Sequence, residues 1–346
     1  MICNLFSFKK IILTTIPLDP YSISCDDKLM VKQNLGYACI NMHLSEVPKS
    51  KRVTTNRSMI KRTFQEKGER YASELALQNV LDLEKIVAWN EAHGFKFFRI
   101  SSELFPWASE YEISSLPHFS EIRASLQRTG KLAAKYGQRL TFHPGPYNKL
   151  TSPKEHVIKN TIRDLEIHSE IFDLMEVSVT PYNKINIHVG AHYNDKEMAL
   201  SNFRKNFMKL SENCQARLTV ENDDKASLYS TKELYENIYE HIGIPVVFDY
   251  HHHRFCDGGQ SEEEALKLAV STWGSIIPVV HYSESRCAEQ QIKCIPQAHS
   301  DYVYQYIDQY NCNVDIMVEA KKKELAVIRY KELHCQDDEN QPSQPS

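Results

Sequence analysis

A chain of 346 residues, 42% hydrophobic and 25% charged, has ordinary globular composition and is long enough for one large α/β domain or two smaller ones. The formal charge of −4, from 41 Lys and Arg against 45 Asp and Glu, leaves no global basic field that would draw the protein to nucleic acid, although bound divalent cations do not enter that sum. Nine unpatterned cysteines without a C-x-x-C pair favour reduced thiols in an intracellular protein over a disulfide framework, and no apolar run approaches the length of a signal-peptide core or a membrane span.

Residues 1–34 show no periodicity and are expected to form a variable extension. Leu35 to Met42 is the first buried strand. Residues 69–93 place Leu75, Val80, Leu83, Ile86, Val87 and Trp89 on one helical face, and Gly94 stops that helix. A strand–helix rhythm follows. Phe95 to Ile100 is a strand, 118–136 a helix, and Arg139 to Phe142 a strand ending at His143. A helix over 153–177 precedes Lys184 to Ile187, which ends at His188. A helix over 195–213 precedes Arg217 to Val220, which ends at Glu221. Helix 231–241 precedes the apolar run Ile244 to Phe248, closed by Asp249-Tyr250-His251-His252-His253. Helix 261–273 precedes Ile276 to Val280, which ends at His281, and a short helix near 300–309 precedes Val314 to Val318, which ends at Glu319. A last helix over 321–333 leads into a polar tail, 334–346, expected to be disordered. Eight strands, each followed by a helix, predict parallel strands with right-handed crossovers closed into a single (β/α)8 TIM barrel over 35–333, with its active site at the strand C-termini. A doubly wound open sheet is the alternative, but the glycine-rich phosphate loop usual after its first strand is missing here.

Ligand-type residues recur at that one position: His143, His188, Glu221, Asp249, His281 and Glu319 end successive strands, and His299 follows in a loop. Spacing alone leaves open which histidine accompanies Asp249, because on an extended strand Asp249 and His251 share a side. Structural explanations exist for each residue singly, such as a backbone-bonded histidine or a salt-bridged acid. Their repetition points to a shared metal basin. Three or four protein groups commonly satisfy one ion, so a set of this size implies two or three divalent ions bridged by a carboxylate. Imidazole with carboxylate suits zinc or manganese. Such a cluster activates water near neutral pH and neutralises a phosphodiester's charge, which favours phosphoester hydrolysis. His93, His118, His156, His168, His241 and His334 lack this strand-end placement and are expected at the surface.

Leu35-Gly36-Tyr37 with Asn41, Thr54-Thr55-Asn56-Arg57, Arg99-Ile100-Ser101-Ser102, Phe142-His143-Pro144-Gly145, Ile187-His188-Val189-Gly190, Glu221-Asn222-Asp223 and Asp249 to His253 together resemble the UV damage endonucleases, over about 34–325. The resemblance implies a barrel related to apurinic endonuclease IV and xylose isomerase. It also implies incision of UV-damaged duplex DNA on the 5′ side of cyclobutane dimers and 6-4 photoproducts, with manganese the usual ion and zinc or magnesium as alternatives. By the same resemblance His143, His188 and Glu221 hold one ion; Glu221, Asp249, His281 and Glu319 a second; and His252 and His299 a third. Tyr37 and Asn41 are placed at the cleavage site or against the lesion strand, and Tyr147 as a wedge beside the flipped lesion.

Three positions depart from the family pattern. The wedge is Pro146-Tyr147 rather than Gln-Tyr, Val279 stands where some members have a carboxylated lysine, and Glu110 replaces a histidine. Proline removes an amide from the wedge but leaves an aromatic able to stack on bases. Arg57, Arg99, Lys149, Arg254 and Lys321 to Lys323 are the cations expected to meet phosphates; the last three also read as the solvated start of a helix. No nucleotide cofactor and no membrane partner are expected, and a monomer leaves the barrel mouth open to a long duplex. The rival readings are an apurinic-site endonuclease on the same barrel, a sugar isomerase or epimerase, which needs fewer ligands, and a metal-dependent binding protein.

Overall fold

A computed structural model describes residues 33–334; the expectations for most of the N-terminal extension and for the polar tail lie outside them. Eight parallel strands form one sheet in the order β3-β2-β1-β8-β7-β6-β5-β4: β1 Asn34–Ala38, β2 Phe97–Arg99, β3 Arg139–Thr141, β4 Ile185–His188, β5 Leu218–Glu221, β6 Val246–Asp249, β7 Val279–Tyr282 and β8 Asp315–Val318. The ends of that order meet through a parallel bridge between Phe142 and Ile185, where Phe142 N donates to Lys184 O at 2.9 Å and Asn186 N to Phe142 O at 3.0 Å. The barrel is thereby nearly closed, and among the described residues no long sheet edge is left to pair with another chain.

Strand alternation explains the layering. Ala38, Phe97, Val247, Val279 and Met317 pack with Trp273 in an apolar cluster, filling the barrel from within. Side chains on a strand repeat with period two, so the next inward positions toward the C-terminal ends are Arg99, Asp249, His281 and Glu319. Register then sets neighbours: His188 pairs with Glu221, and Asp249 with His281. Gly36 follows from the same packing, because a Cβ there would meet the Phe97 side chain and carbonyl at 2.6 Å.

The helical layer follows the expected order with local differences. The first long helix begins at Lys61, bends at Gly68 and ends at Ala92. The helix expected over 195–213 breaks after Phe207 and resumes at Glu212, capped by Ser211. Helix 231–241 is present but contains a π turn over Tyr235–Tyr239. Asn34, assigned to the extension, opens β1 instead, and its Nδ2 donates to Asp315 at 2.7 Å.

The helix expected near 300–309 does not form. There the backbone N–H groups of Tyr304 and Gln305 donate to the Glu284 carboxylate, and those of Asp301 and Tyr302 to Glu289. Side-chain acceptors thus replace the i−4 carbonyls of a helix. The expectation of reduced thiols is also corrected: Cys287 and Cys294 form a disulfide, while Cys39, Cys214, Cys256 and Cys312 are free. A loop brings the two Cα atoms to 5.4 Å, within bridging range, which spacing alone did not reveal. His168 is buried rather than exposed, with its Nδ1 on Asp164 O at 2.7 Å and its ring edge-on to Phe142. Among the described residues no helix is long and apolar enough to cross a membrane.

Candidate metal centre

Glu221 is the hub of the strand ends. It is 1% exposed, yet its carboxylate lies 3.0 Å from His143 Nε2, 3.1 Å from His281 Nδ1 and 3.4 Å from His252 Nδ1. His281 Nδ1 is also 3.2 Å from Glu319. Three groups have ligand atoms within 4.8 Å of one another: His143, Glu221 and His281; His188, Glu221 and His252; and Asp249, His281 and Glu319. Seven of the eight sequence candidates therefore converge. His299 stands beside them, its Nδ1 on Glu319 O at 2.8 Å and its ring centroid 6.5 Å from that of His252.

The chain turns sharply where the sequence left a choice. After Asp249 the strand becomes a helical turn, Tyr250–His253, whose first N–H groups Asp249 caps by accepting from His252 N at 2.8 Å. At helical spacing Asp249 and His252 share a side, whereas the His251 ring turns toward Phe255 and His299.

The donor set fits divalent ions. Asp249 Oδ2 is buried without a hydrogen-bond partner, and His281 Nδ1, though 3.1 and 3.2 Å from the Glu221 and Glu319 carboxylates, makes no aligned hydrogen bond to either, a condition that a cation shared among them would relieve. Second contacts orient the rings as ligands require. His143 Nδ1 faces Pro144 O at 3.2 Å, and His252 Nδ1 faces Asn222 O at 3.0 Å. His281 Nε2 lies 3.2 Å from Lys184 Nζ, leaving Nδ1 toward the carboxylates.

Electrostatics follow from burial among opposite charges. Burial pushes the Asp249 carboxyl up to about 7, with His252 pulling it back. Burial lowers His281 to about 4 against the pull of Glu221. His188 is also penalised by burial, but Glu221, Asp223 and Asp249 outweigh that and push it up to about 10. Glu221 and Glu319 sit well below the usual carboxylate range: burial opposes this, but His281 and His188 overcome it for Glu221, and Arg99 and His281 for Glu319. Near pH 7.5 the metal-free site thus holds a proton on His188 that a ligand imidazole must lose. Loading the apo-protein with manganese at that pH is expected to release about one proton per chain, read as a heat that varies with buffer ionisation enthalpy; a buffer-independent heat contradicts the charge state. Because His188 is raised above its unfolded value, its contribution to apo-protein stability is complete below about 6.5 and is lost as pH rises through about 10.

Three supporting residues were not among the expected site residues, although Asn222 lies inside the Glu221-Asn222-Asp223 motif. Asn186 donates to Glu221 and accepts from Thr219 Oγ1 at 2.8 Å, which aims the shared carboxylate. Asn222 brackets the Asp249 peptide, accepting its N–H at 2.8 Å and donating to its carbonyl at 3.0 Å. Lys184 is wholly buried, and burial holds its amine well below the usual lysine range. Inward parity on β4 was the available signal for Lys184 and Asn186.

Other expected residues take different places. Tyr37 requires correction: it is 0% exposed, packs against Phe95 and Phe98 on the side of the sheet that faces the helices, and gives its hydroxyl to Asn90 at 2.6 Å. Ala38 takes the inward position on β1, so Tyr37 points away from the basin. Asn41, also buried, caps a short turn by accepting from Leu44 N and donates to the Tyr37 hydroxyl at 2.9 Å. Arg99 is paired with Glu319 and Arg57 with Asp82, at 2.6 Å for the latter, so neither guanidinium is unpaired. Lys149 lines a cavity of about 610 Å3 beside His188 and His252, and Arg254 is exposed. Pro146 and Tyr147 occupy the tip of a turn over 145–148 that buried Asn148 ties down through Gly145 O and Asp164; Tyr147 is 87% exposed. Val279 belongs to the apolar plug and Glu110 is exposed.

An eight-stranded parallel barrel with a buried imidazole–carboxylate basin at its strand ends defines a TIM-barrel protein with a candidate multinuclear metal centre. A family model described as UV-endonuclease UvdE matches residues 33–345. The chain belongs to that family. It is 36% identical to the UV-damage endonuclease of Schizosaccharomyces pombe over 91% of this chain and 54% of the relative. It is 32% identical to the UV DNA damage endonuclease of Clostridium perfringens over 85% of this chain and 69% of the relative. The chain spans about half the length of the first curated relatives it matches. The crystal structure of SacUVDE superposes with a TM-score of 0.74 at 31% identity, covering 87% of this chain and 97% of that one. A 3-keto-D-glucoside 4-epimerase from E. coli, at 12% identity, 88% and 98% coverage and a TM-score of 0.50, shares the fold.

Proposed function

We propose that this chain is a metal-dependent DNA repair endonuclease that incises duplex DNA on the 5′ side of UV photoproducts, both cyclobutane dimers and 6-4 photoproducts. The observation that carries the reading is Glu221, a buried carboxylate shared among three imidazoles in a chain of the UvdE family. His143, His188, His252 and His281 with Glu221, Asp249 and Glu319 would hold two ions, with Glu221 common to both. His299 would join His252 at a third. Manganese is the ion we favour, since imidazole and carboxylate donors without thiolate suit it. When bound, the ions supply charge neutralisation for the phosphodiester and acidify water. The chain's own groups hold the carboxylates in place: Arg99 orients Glu319, Asn186 orients Glu221, and Lys184 meets the far nitrogen of His281.

Substrate contact falls to the rim. Tyr147 supplies an exposed aromatic face that can stack on an unpaired base, and Pro146 pre-sets the turn that presents it. Lys149 and Arg254 are the cations best placed for phosphates. Lys149→Ala is expected to lower the salt slope of duplex binding by about one. Arg57→Ala is expected to leave the slope unchanged and lower stability instead, because it removes one of buried Asp82's two cationic partners, leaving Lys85 at 2.9 Å. Binding isotherms across a salt series decide both, and a slope lowered only by Arg57→Ala would reverse the assignment.

One assay tests the reading. The protein with manganese is incubated with labelled duplexes carrying a cyclobutane dimer, a 6-4 photoproduct, an abasic site or no lesion. Incision immediately 5′ to both photoproducts is expected. Incision at the abasic site alone would make the protein an apurinic-site endonuclease, and no incision would return it to the binding or isomerase classes.

A further inference from the structure

The loop after β7 has a construction that the metal centre does not explain. Between Ser285 and His299 the chain leaves the barrel mouth and returns as a finger. A Ser285–His299 antiparallel bridge closes its base, and Arg286 N donates to Ala298 O at 2.8 Å and Ser285 Oγ to Pro296 O at 3.0 Å. The Cys287–Cys294 disulfide spans its middle, and Gln297 Nε2 ties its flank to Asp224 O at 3.3 Å. On the returning arm, just below the disulfide, Ile295 is 72% exposed, and Ile292 in the loop beyond it is 45% exposed. Ile295 precedes Pro296, which restricts it to extended backbone.

Single exposed aliphatic residues are common on protein surfaces, so exposure alone identifies nothing here. Placement and charge do. The finger rises from the strand end that carries His281, and its returning arm carries His299, so its base stands beside the candidate metal centre. In a ring of eight strands β7 lies opposite β3, whose loop presents Tyr147. The acids in and just before the finger are engaged by backbone: Glu284, preceding its base, accepts from Tyr304 N and Gln305 N, and Glu289 from Asp301 N and Tyr302 N. Arg286 and Lys293 remain exposed beside the isoleucines. A cross-braced arm with an exposed isoleucine and neighbouring cations matches duplex DNA, in which phosphates border a stack that Ile or Pro side chains can enter and unstack. Rigidity also reduces the ordering lost on binding.

We propose that the Cys287–Cys294 finger is a second DNA wedge, inserting Ile295 into the duplex from the rim opposite Tyr147. The proposal rests on the DNA-incision reading above. It assigns Ile295 to lesion recognition by unstacking, with Arg286 and Lys293 on the flanking phosphates.

The test uses the full chain with manganese and a duplex carrying a cyclobutane dimer next to 2-aminopurine, whose fluorescence rises when it is unstacked. Stopped-flow mixing is expected to show a rise before incision in the parent protein. Ile295→Asp should cut that amplitude about tenfold and raise the KM for incision about tenfold, with kcat within about twofold. Ile295→Leu should restore both. Parent-like amplitude and KM in Ile295→Asp would overturn the wedge, as would a fall in kcat alone, which would mark a disturbance of His299 instead. A parent protein giving neither incision nor a fluorescence rise would overturn the incision reading itself, and the wedge with it.

Discussion

Glu221→Gln is expected to abolish incision, lowering the single-turnover rate by about a thousandfold or more. The carboxylate contacts His143, His252 and His281, and Asn186 holds it from the barrel side. Glutamine keeps the shape and removes the charge. Two of the three convergent groups then lose their common anion, and the imidazoles that depend on it are left to share cations without compensation. Metal content should fall with activity, while circular dichroism should show an intact barrel, because the substitution preserves side-chain volume and glutamine can keep the hydrogen bond from Asn186. Glu221→Asp is expected to retain part of both, as it keeps the charge and shortens the reach. Inductively coupled plasma analysis with single-turnover incision reads the two effects together. Full activity with full metal content in Glu221→Gln would remove Glu221 from the centre.

The strand-end residues were legible because a single physical pattern repeats: an apolar run buried on both faces, then a ligand-type side chain at the mouth. Strand positions followed, and with them the convergence of His143, His188, Glu221, Asp249, His281 and Glu319. Tyr37, placed at the cleavage site by resemblance alone, lies one residue from inward-facing Ala38, and period two sends it to the helix layer. The choice between His251 and His252 was illegible for a related reason. It depends on the chain passing from strand to helical turn at Asp249, which changes the period from two to 3.6 within one residue. Lys184 and Asn186 carry no motif, and Asn222 had a motif but no assigned role, because orienting groups are defined by the atoms they meet and not by spacing. The missing helix near 300–309 has the same origin: Glu284 and Glu289 reach forward to take N–H groups that a helix would have used, and no local propensity encodes so distant an acceptor.

At the opposite end of the barrel, Asp315→Ala is expected to destabilise the protein by about 3–5 kcal/mol. Arg139 and Asp315 are the first residues of β3 and β8, and their side chains meet at 2.9 Å beneath the apolar plug. Arg139 is 0% exposed and also donates to Tyr182 O, Ile277 O and Pro181 O, so it ties three separate segments together. Burial lowers its pKa and Asp315 opposes that shift; without the carboxylate, a buried guanidinium retains its desolvation penalty and loses its counter-charge. The double variant Arg139→Met with Asp315→Leu should lose much less than Asp315→Ala, because paired apolar replacements leave no orphaned charge. Urea denaturation of the singles and the double gives the coupling directly, and a loss below about 1 kcal/mol in Asp315→Ala would show the pair to be dispensable. Incision by the folded fraction should remain close to that of the parent, since the apolar cluster of Phe97, Val247, Val279 and Met317 lies between this pair and the basin. The barrel interior thus divides along its axis: an ion pair at the strand starts that governs stability, and carboxylates at the strand ends kept apart from it for chemistry.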